Sequence, residues 1–238
     1  MLEAVDLYKT FKNGNREVYP LSGASLCVEE GDRIGIFGKS GEGKSTFANI
    51  ACGLAKPDSG NVYLDERPLF DESKSYDFRA GKRIQLIPQQ PYLSFDPAQR
   101  IGSAVAEVVR VNGRGIGRAE ARSKVAELFD RVLLNPSHMD RLPPQLSGGQ
   151  VQRAAIARAL AMNPEAIISD EATSMLDASS QAQIIRIFCD LADKDGIAII
   201  LISHDMKLLR SFADRIYRLD KGVFQIVCDK PAEGTENV

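Results

Sequence analysis

Apolar runs of strand length recur along the chain at Arg33–Phe37, Arg83–Ile87, Ala166–Ser169 and Ile197–Ile202. Three of them end in loop or polar residues that lead into helical sequence, the pattern of buried parallel strands in an α/β sheet. Asn61–Leu64, Arg215–Leu219 and Val223–Val227 predict more peripheral strands, and Lys221-Gly222 reads as a tight hairpin turn between the last two. From about Pro91 to Leu160 the pattern changes. Helical periodicity runs through Ser103–Val111 and Arg118–Leu133, broken by Gly113-Arg114-Gly115-Ile116-Gly117, with no strand. This predicts a helical subdomain (about 91–160) inserted into a sheet domain built from about 1–90 and 161–238, all within one unit of 1–238. The polar tail after Asp229 is expected to fray.

Composition adds few constraints but removes several function classes. At 238 residues the chain can bury a full core, and 44% hydrophobic with 26% charged residues is ordinary for a globular protein. Thirty basic against 32 acidic residues give no electrostatic footprint for nucleic acid, so no nucleic-acid partner is expected. Cys27, Cys52, Cys189 and Cys228 are scattered without a C-x-x-C pair and read as reduced thiols. Met1-Leu2-Glu3 leads straight into strand-like sequence without a basic-then-apolar leader. The longest apolar run, Ile197 to Ile202, is far short of the roughly 20 residues a membrane helix requires. Any membrane role therefore has to pass through a partner.

The chemistry begins at Gly38-Lys39-Ser40-Gly41-Glu42-Gly43-Lys44-Ser45-Thr46, which fits G-x-x-x-x-G-K-[ST] after the strand Ile34–Phe37 and before a helical run to Leu54. Its glycines let backbone N–H groups turn inward around phosphate oxygens, and the helix N-terminus adds its dipole. Lys44 supplies a point charge for the β- and γ-phosphates, and the Ser45 hydroxyl is placed to ligate Mg²⁺. A glycine-rich turn that merely opens a helix is the competing reading, disfavoured by the strand–loop–helix context. Ala166–Ser169 ends in Asp170-Glu171. There Asp170 can hold Mg²⁺ through water, and Glu171 can project beyond the metal as general base; alternatively both are solvated loop acids. His204 follows another apolar strand and lies on the ligand edge of an α/β sheet, where it can donate to a γ-phosphate oxygen or serve as a structural hydrogen-bonder. His138, in a loop between Pro136 and Met139, keeps the structural reading.

Leu146-Ser147-Gly148-Gly149-Gln150, followed by Val151 through Leu160, resembles the signature and signature helix of ABC-type ATPases. The resemblance extends in order and spacing over essentially the full chain. Gly38–Thr46 matches the Walker A loop and Asp170-Glu171 the end of Walker B. Ser174-Met175-Leu176-Asp177 resembles the D-loop and His204 the switch histidine; Gln89 falls at the Q-loop glutamine and Phe11 at the aromatic that stacks on adenine. Three positions depart from the family pattern without removing a catalytic group: Val151 after the signature, Pro88 before Gln89, and Ala172 after the acid pair.

The resemblance implies a P-loop NTPase: a RecA-like α/β core with an N-terminal antiparallel β region and an inserted helical subdomain. It implies ATP and Mg²⁺ as ligands. Phe11 would stack the adenine, Gly38–Thr46 would hold the phosphates, and Ser45, Gln89 and Asp170 would arrange the metal and its water. Glu171 would polarise the attacking water while His204 holds the γ-phosphate. It further implies a head-to-tail dimer in which Ser147, Gly148, Gly149 and Gln150 of one chain face ATP bound by a second ATPase subunit, either another copy or a sister chain. Only about a hundred residues separate Walker A from the signature, with no heptads, against the chromosome-maintenance branch. Tyr92-Leu93-Ser94-Phe95-Asp96-Pro97 resembles a stretch of the peptide, opine and nickel importer group. That points to a peripheral subunit on the cytoplasmic face of the inner membrane. It would couple closure to uptake of a peptide, nickel or a metallophore through separate permease subunits and, indirectly, an extracytoplasmic binding protein. A soluble ABC ATPase of repair, assembly or translation is the alternative.

Overall fold

The computed structural model describes residues 1–229 apart from Asn15, Arg114 and Met175. Met175 of the D-loop stretch, Arg114 of the glycine run and the tail after Asp229 therefore lie outside the described residues. In chain order the elements are β1 (Leu2–Asn13), β2 (Arg16–Val28), β3 (Arg33–Phe37), α1 (Lys44–Ala51), β4 (Ser59–Leu64), β5 (Arg67–Pro68), α2 (Phe78–Gly81) and β6 (Ile84–Ile87). They continue as α3 (Ile101–Asn112), α4 (Arg118–Arg131), α5 (Gly148–Leu160), β7 (Ala166–Asp170), α6 (Ala178–Asp195), β8 (Ala198–Ile202), α7 (Met206–Phe212), β9 (Arg215–Asp220) and β10 (Val223–Asp229).

Two sheets share the load. The first is antiparallel, ordered β2-β1-β4-β5; the second is ordered β10-β9-β3-β8-β7-β6 and is parallel except at β10. This is the α/β architecture, with its antiparallel N-terminal region, that the resemblance implies. Strand β8 explains why the buried runs do not alternate. Ile200 and Ile202 face α1 and the antiparallel sheet, whereas Ile199 and Leu201 face α5 and α6, so every position is apolar. The helices between residues 91 and 160 do not enclose a core of their own. Val105, Val125, Phe129 and Ile156 join Ile167, Phe188 and Leu201 in one continuous apolar cluster on that second sheet face.

The predicted strands from β3 onward fall within a residue or two of their observed ends, and Lys221 (φ 51°) and Gly222 (φ 80°) form the hairpin turn between β9 and β10. In the N-terminal antiparallel sheet the residue pattern does not mark the individual strands before β4. β1 and β2 run 12 and 13 residues, but their pairing shifts register three times and Asp6 sits at φ 47°. Each shift breaks the period-two alternation on which a strand reading depends. The hairpin turn also joins the two sheets, because Ser22 N–H donates to Gly222 O at 2.9 Å.

Candidate nucleotide site

The parallel register brings the C-terminal ends of four strands to one edge: Ile36 pairs with Ile202, Asp170 with Ile202 and Ile87 with Ser169. The residues just beyond them are therefore Gly38, Glu171, Ser203-His204 and Pro88-Gln89. These residues belong to separate sequence motifs; the sheet makes them neighbours.

Gly38–Gly43 wraps over the start of α1, whose first residue is Lys44. The Lys44 side chain is only 5% exposed, and its ammonium donates to Gly38 O and Lys39 O, each at 2.8 Å. Gly43 at φ 102° is held against β2, where an added Cβ would fall 2.2 Å from Pro20 O. That contact fixes the loop beside the antiparallel sheet. Phe11, on β1, is 48% exposed, with the Lys9 ammonium 5.4 Å from its ring centre. An exposed aromatic face on a strand flanking a phosphate loop is free to stack a base.

Glu171 is where the other groups meet. Its Oε1 lies 3.7 Å from Lys44 Nζ; its Oε2 accepts from Gln89 Nε2 at 3.4 Å and lies 3.8 Å from His204 Nδ1. The residue sits at φ 48°, a conformation unusual for Glu. It is locked there by its own N–H donating to Ile202 O (3.0 Å) and by its carbonyl accepting from Ser174 N (3.1 Å) and Ser174 Oγ (2.8 Å). Such a strained backbone persists only where its surroundings over-determine it, and it aims the carboxylate along the strand edge. His204 itself is 65% exposed, open to an incoming group.

Asp170, one residue earlier, is largely buried. Burial pushes its carboxyl above the usual range; the Ser45 hydrogen bond opposes this, Glu171 adds to it and Lys44 opposes it. Its Oδ1 is buried without a hydrogen-bond partner. A buried carboxylate oxygen left open beside a serine hydroxyl suits a hard cation. Among the described residues no group of three or more His, Cys, Asp and Glu could hold a metal.

The signature residues stand apart from this cluster. Ser147 caps α5, accepting from Gln150 N at 3.3 Å, while Ser147 N donates to Gln150 Oε1 at 2.9 Å, so the Gln150 side chain is committed to its own helix. Ser147 and Gly148 are exposed, and Gly149 is pressed on α6, where a Cβ would fall 2.9 Å from Ser180 Oγ. No hydrogen bond or ion pair among the described residues links Ser147–Gln150 to Lys44, Asp170, Glu171 or His204.

A family model described as ABC transporter matches residues 21–174. The chain belongs to the ABC transporter family. It is 36% identical, over 85% of its length and 62% of the relative's, to a di/tripeptide transport ATP-binding protein of Pseudomonas aeruginosa (strain UCBPP-PA14). It is 40% identical, over 87% of its length and 33% of the relative's, to a glutathione import ATP-binding protein of Salmonella paratyphi A. The chain thus spans from about a third to about two thirds of the length of these curated relatives. Among solved structures, a dimeric ATP-binding cassette in a post-hydrolysis state bound to ADP and Pi superposes with TM-score 0.83 at 32% identity, covering 94% of this chain and 97% of the other.

The ABC cassette has one further element that no motif marks. Arg158, near the end of the signature helix α5, donates through Nη1 to Ser94 O (2.5 Å) and through Nη2 to Ser94 Oγ (2.6 Å), and its guanidinium lies 4.2 Å from the Phe95 ring centre. Burial lowers its pKa, yet the planar fork keeps it paired. It ties the segment after Gln89 to the signature helix. The only sequence signal was a charge at position 158 in a helix otherwise buried at Ile156, Ala157, Ala159 and Leu160.

Proposed function

We propose that this ABC cassette is the ATP-hydrolysing subunit of an importer, and that it works as half of a head-to-tail pair. The observation that carries the reading is the division of the site. Lys44, Gln89, Glu171 and His204 converge within one chain, while among the described residues the exposed Ser147–Gly148 turn makes no hydrogen bond or ion pair with any of them. A helix N-terminus favours a γ-phosphate through its dipole and any amide its cap leaves unbonded, so closure of a second cassette over bound ATP would complete the site.

In this reading Phe11 stacks the adenine, and Gly38–Thr46 holds the phosphates with Lys44 as the point charge. Mg²⁺ would be held by Ser45, with Asp170 and Gln89 ordering its water, and would neutralise charge on the transferred phosphoryl. Glu171 accepts a proton from the attacking water at its carboxylate, the position its strained backbone fixes. His204 donates a hydrogen bond to the γ-phosphate. Loss of the γ-phosphate removes the contacts bridging the two chains and lets them part.

The stroke would leave the chain through Gln89 and the segment after it. Two adjoining grooves, of about 220 Å³ (lined by Pro88, Val108 and Met162, among others) and about 430 Å³ (lined by Ser94, Phe95 and Val111, among others), meet at Arg158. We take this surface as the one a permease subunit docks on. Tyr92 (43% exposed) and Leu93 (76% exposed) supply apolar contacts beside them. No helix of the described residues is long and apolar enough to cross a membrane. On the importer reading, passage belongs to separate subunits and the cassette sits at the cytoplasmic face. The peptide and glutathione names of the relatives favour a peptide-like cargo over nickel or a metallophore. Co-purification with a pair of permease subunits, and ATPase activity that rises when the cargo's binding protein is added to the reconstituted complex, is the expected result. Retention on ribosomes or DNA with no permease would overturn it.

A further inference from the structure

The phosphate loop carries an anion of its own. The Glu42 carboxylate turns back over the loop: Oε2 accepts from Lys39 N at 2.5 Å, and the Glu42 N–H donates to Lys39 O at 3.3 Å. A Cβ on Gly38 would fall 2.9 Å from that Oε2, so the carboxylate lies against the Gly38–Lys39 peptide rather than out in solvent. The same peptide stretch is held from its carbonyl side by Lys44 Nζ. The ion pair that Lys44 makes is with Glu171, not with Glu42.

A nucleotide brings several negative charges into this loop, and unlike the glycines a carboxylate there opposes them. The turn is bonded at both its amide and its carbonyl, so the carboxylate also keeps the loop folded between turnovers. We propose that Glu42 is a resident anion of the phosphate loop, which nucleotide must push off the Lys39 amide. Glu42 thereby weakens the hold on di- and triphosphate nucleotides and hastens release of ADP. The residue sets nucleotide affinity from inside the loop without touching the hydrolytic groups. This inference needs only phosphate binding by Gly38–Thr46 and does not depend on the transported cargo or the partner subunits.

The test uses the full chain and Mg·ADP. Glu42→Gln keeps the size of the side chain and a carbonyl oxygen for the Lys39 amide, but removes the charge. Calorimetric titration is expected to show ADP bound about tenfold more tightly by this variant than by the parent, with a correspondingly slower release of fluorescent ADP in stopped flow. Unchanged or weaker binding by Glu42→Gln would overturn the proposal and leave Glu42 as a loop clamp only. If Glu42→Gln does not fold, Glu42→Ser is judged by the same criterion. Failure of the parent chain to bind ADP at all would instead refute nucleotide binding by the loop.

Discussion

Lys44 and Glu171 face each other across the strand edge, with Nζ and Oε1 3.7 Å apart; Gln89 and His204 approach Glu171, and the Gly38 and Lys39 carbonyls bind Lys44. The pair separates two tasks. Lys44 is buried and bonded to loop carbonyls, which suits a fixed phosphate-binding charge. Glu171 is partly open and contacts Gln89 and His204, which suits a group that meets water.

Glu171→Gln keeps the shape and the Gln89 contact but cannot accept a proton. ATP binding is expected to survive while turnover falls at least about 100-fold, the usual scale for removing a general base. The check is a steady-state phosphate-release assay beside a nucleotide-binding titration. Near-normal hydrolysis would remove Glu171 from its assigned role.

The isolation of Ser147 from Lys44 and Glu171 makes a separate prediction. Ser147→Arg places a bulky cation at an exposed cap, so nucleotide binding by a single chain should be unchanged. ATP-dependent association should disappear. Light scattering in the Glu171→Gln background, where the ATP-bound pair accumulates, measures this directly. A variant that still associates on adding ATP would place the partner-facing surface elsewhere.

The site was legible to the extent that its determinants are local. Gly38–Thr46, Asp170-Glu171 and Ser147–Gln150 each declare themselves in a few consecutive residues because a loop, a strand end and a helix cap are short-range structures. The relations between them are not local. That Gln89 and His204 both reach Glu171 depends on β6, β7 and β8 lying side by side, and the positive φ of Glu171 depends on Ile202 O and Ser174. The role of Arg158 is not legible in the sequence because its partners, Ser94 and Phe95, lie far earlier in the chain. The N-terminal antiparallel region follows from the resemblance, but the extents of β1 and β2 are not legible in the residue pattern because their bulges erase the alternation that marks a strand.

Asp170 gives a prediction with a sign. Its folded pKa is raised by burial, so the charged form is disfavoured in the folded chain. For an acid raised in this way, the stabilisation is full only below the unfolded value of about 3.9, and it is lost as pH climbs through that value towards the folded pKa. At neutral pH the buried charge is therefore a net cost unless a cation offsets it. Asp170→Asn should melt higher than the parent at neutral pH without ligand, by roughly 2–4 °C for each kcal/mol relieved. It should lose the Mg²⁺-dependent gain in nucleotide affinity. A lower melting temperature for the variant would show that the carboxylate is stabilising without metal.

Arg158 can be tested against its closest charge-conserving substitute. Lysine cannot reproduce a two-pronged bond to Ser94 O and Ser94 Oγ while lying over Phe95. Arg158→Lys is expected to lower stability by about 1–3 kcal/mol in urea unfolding, the range for leaving buried polar groups unpaired. The ATPase of the isolated chain should change less than the activity of the permease complex, because the segment loosened is the one that would face the permease. Equal losses in both would mean that Arg158 is a packing residue only.

Gly41 and Gly43 both have positive φ, 83° and 102°, yet their surroundings differ, and this sets strain apart from collision. A Cβ on Gly41 meets nothing within 4 Å, whereas one on Gly43 would lie 2.2 Å from Pro20 O. Gly41→Ala should therefore cost only the backbone strain, about 1–2 kcal/mol. Gly43→Ala carries the same strain and must also push the loop off β2 or push β2 off the core. The loop would lose its register with the Phe11 face and with Lys44 at once, so Gly43→Ala should weaken ATP binding far more than Gly41→Ala. Nucleotide titration of the two variants side by side decides it: equal losses would mean that the Gly43–Pro20 contact does not position the loop.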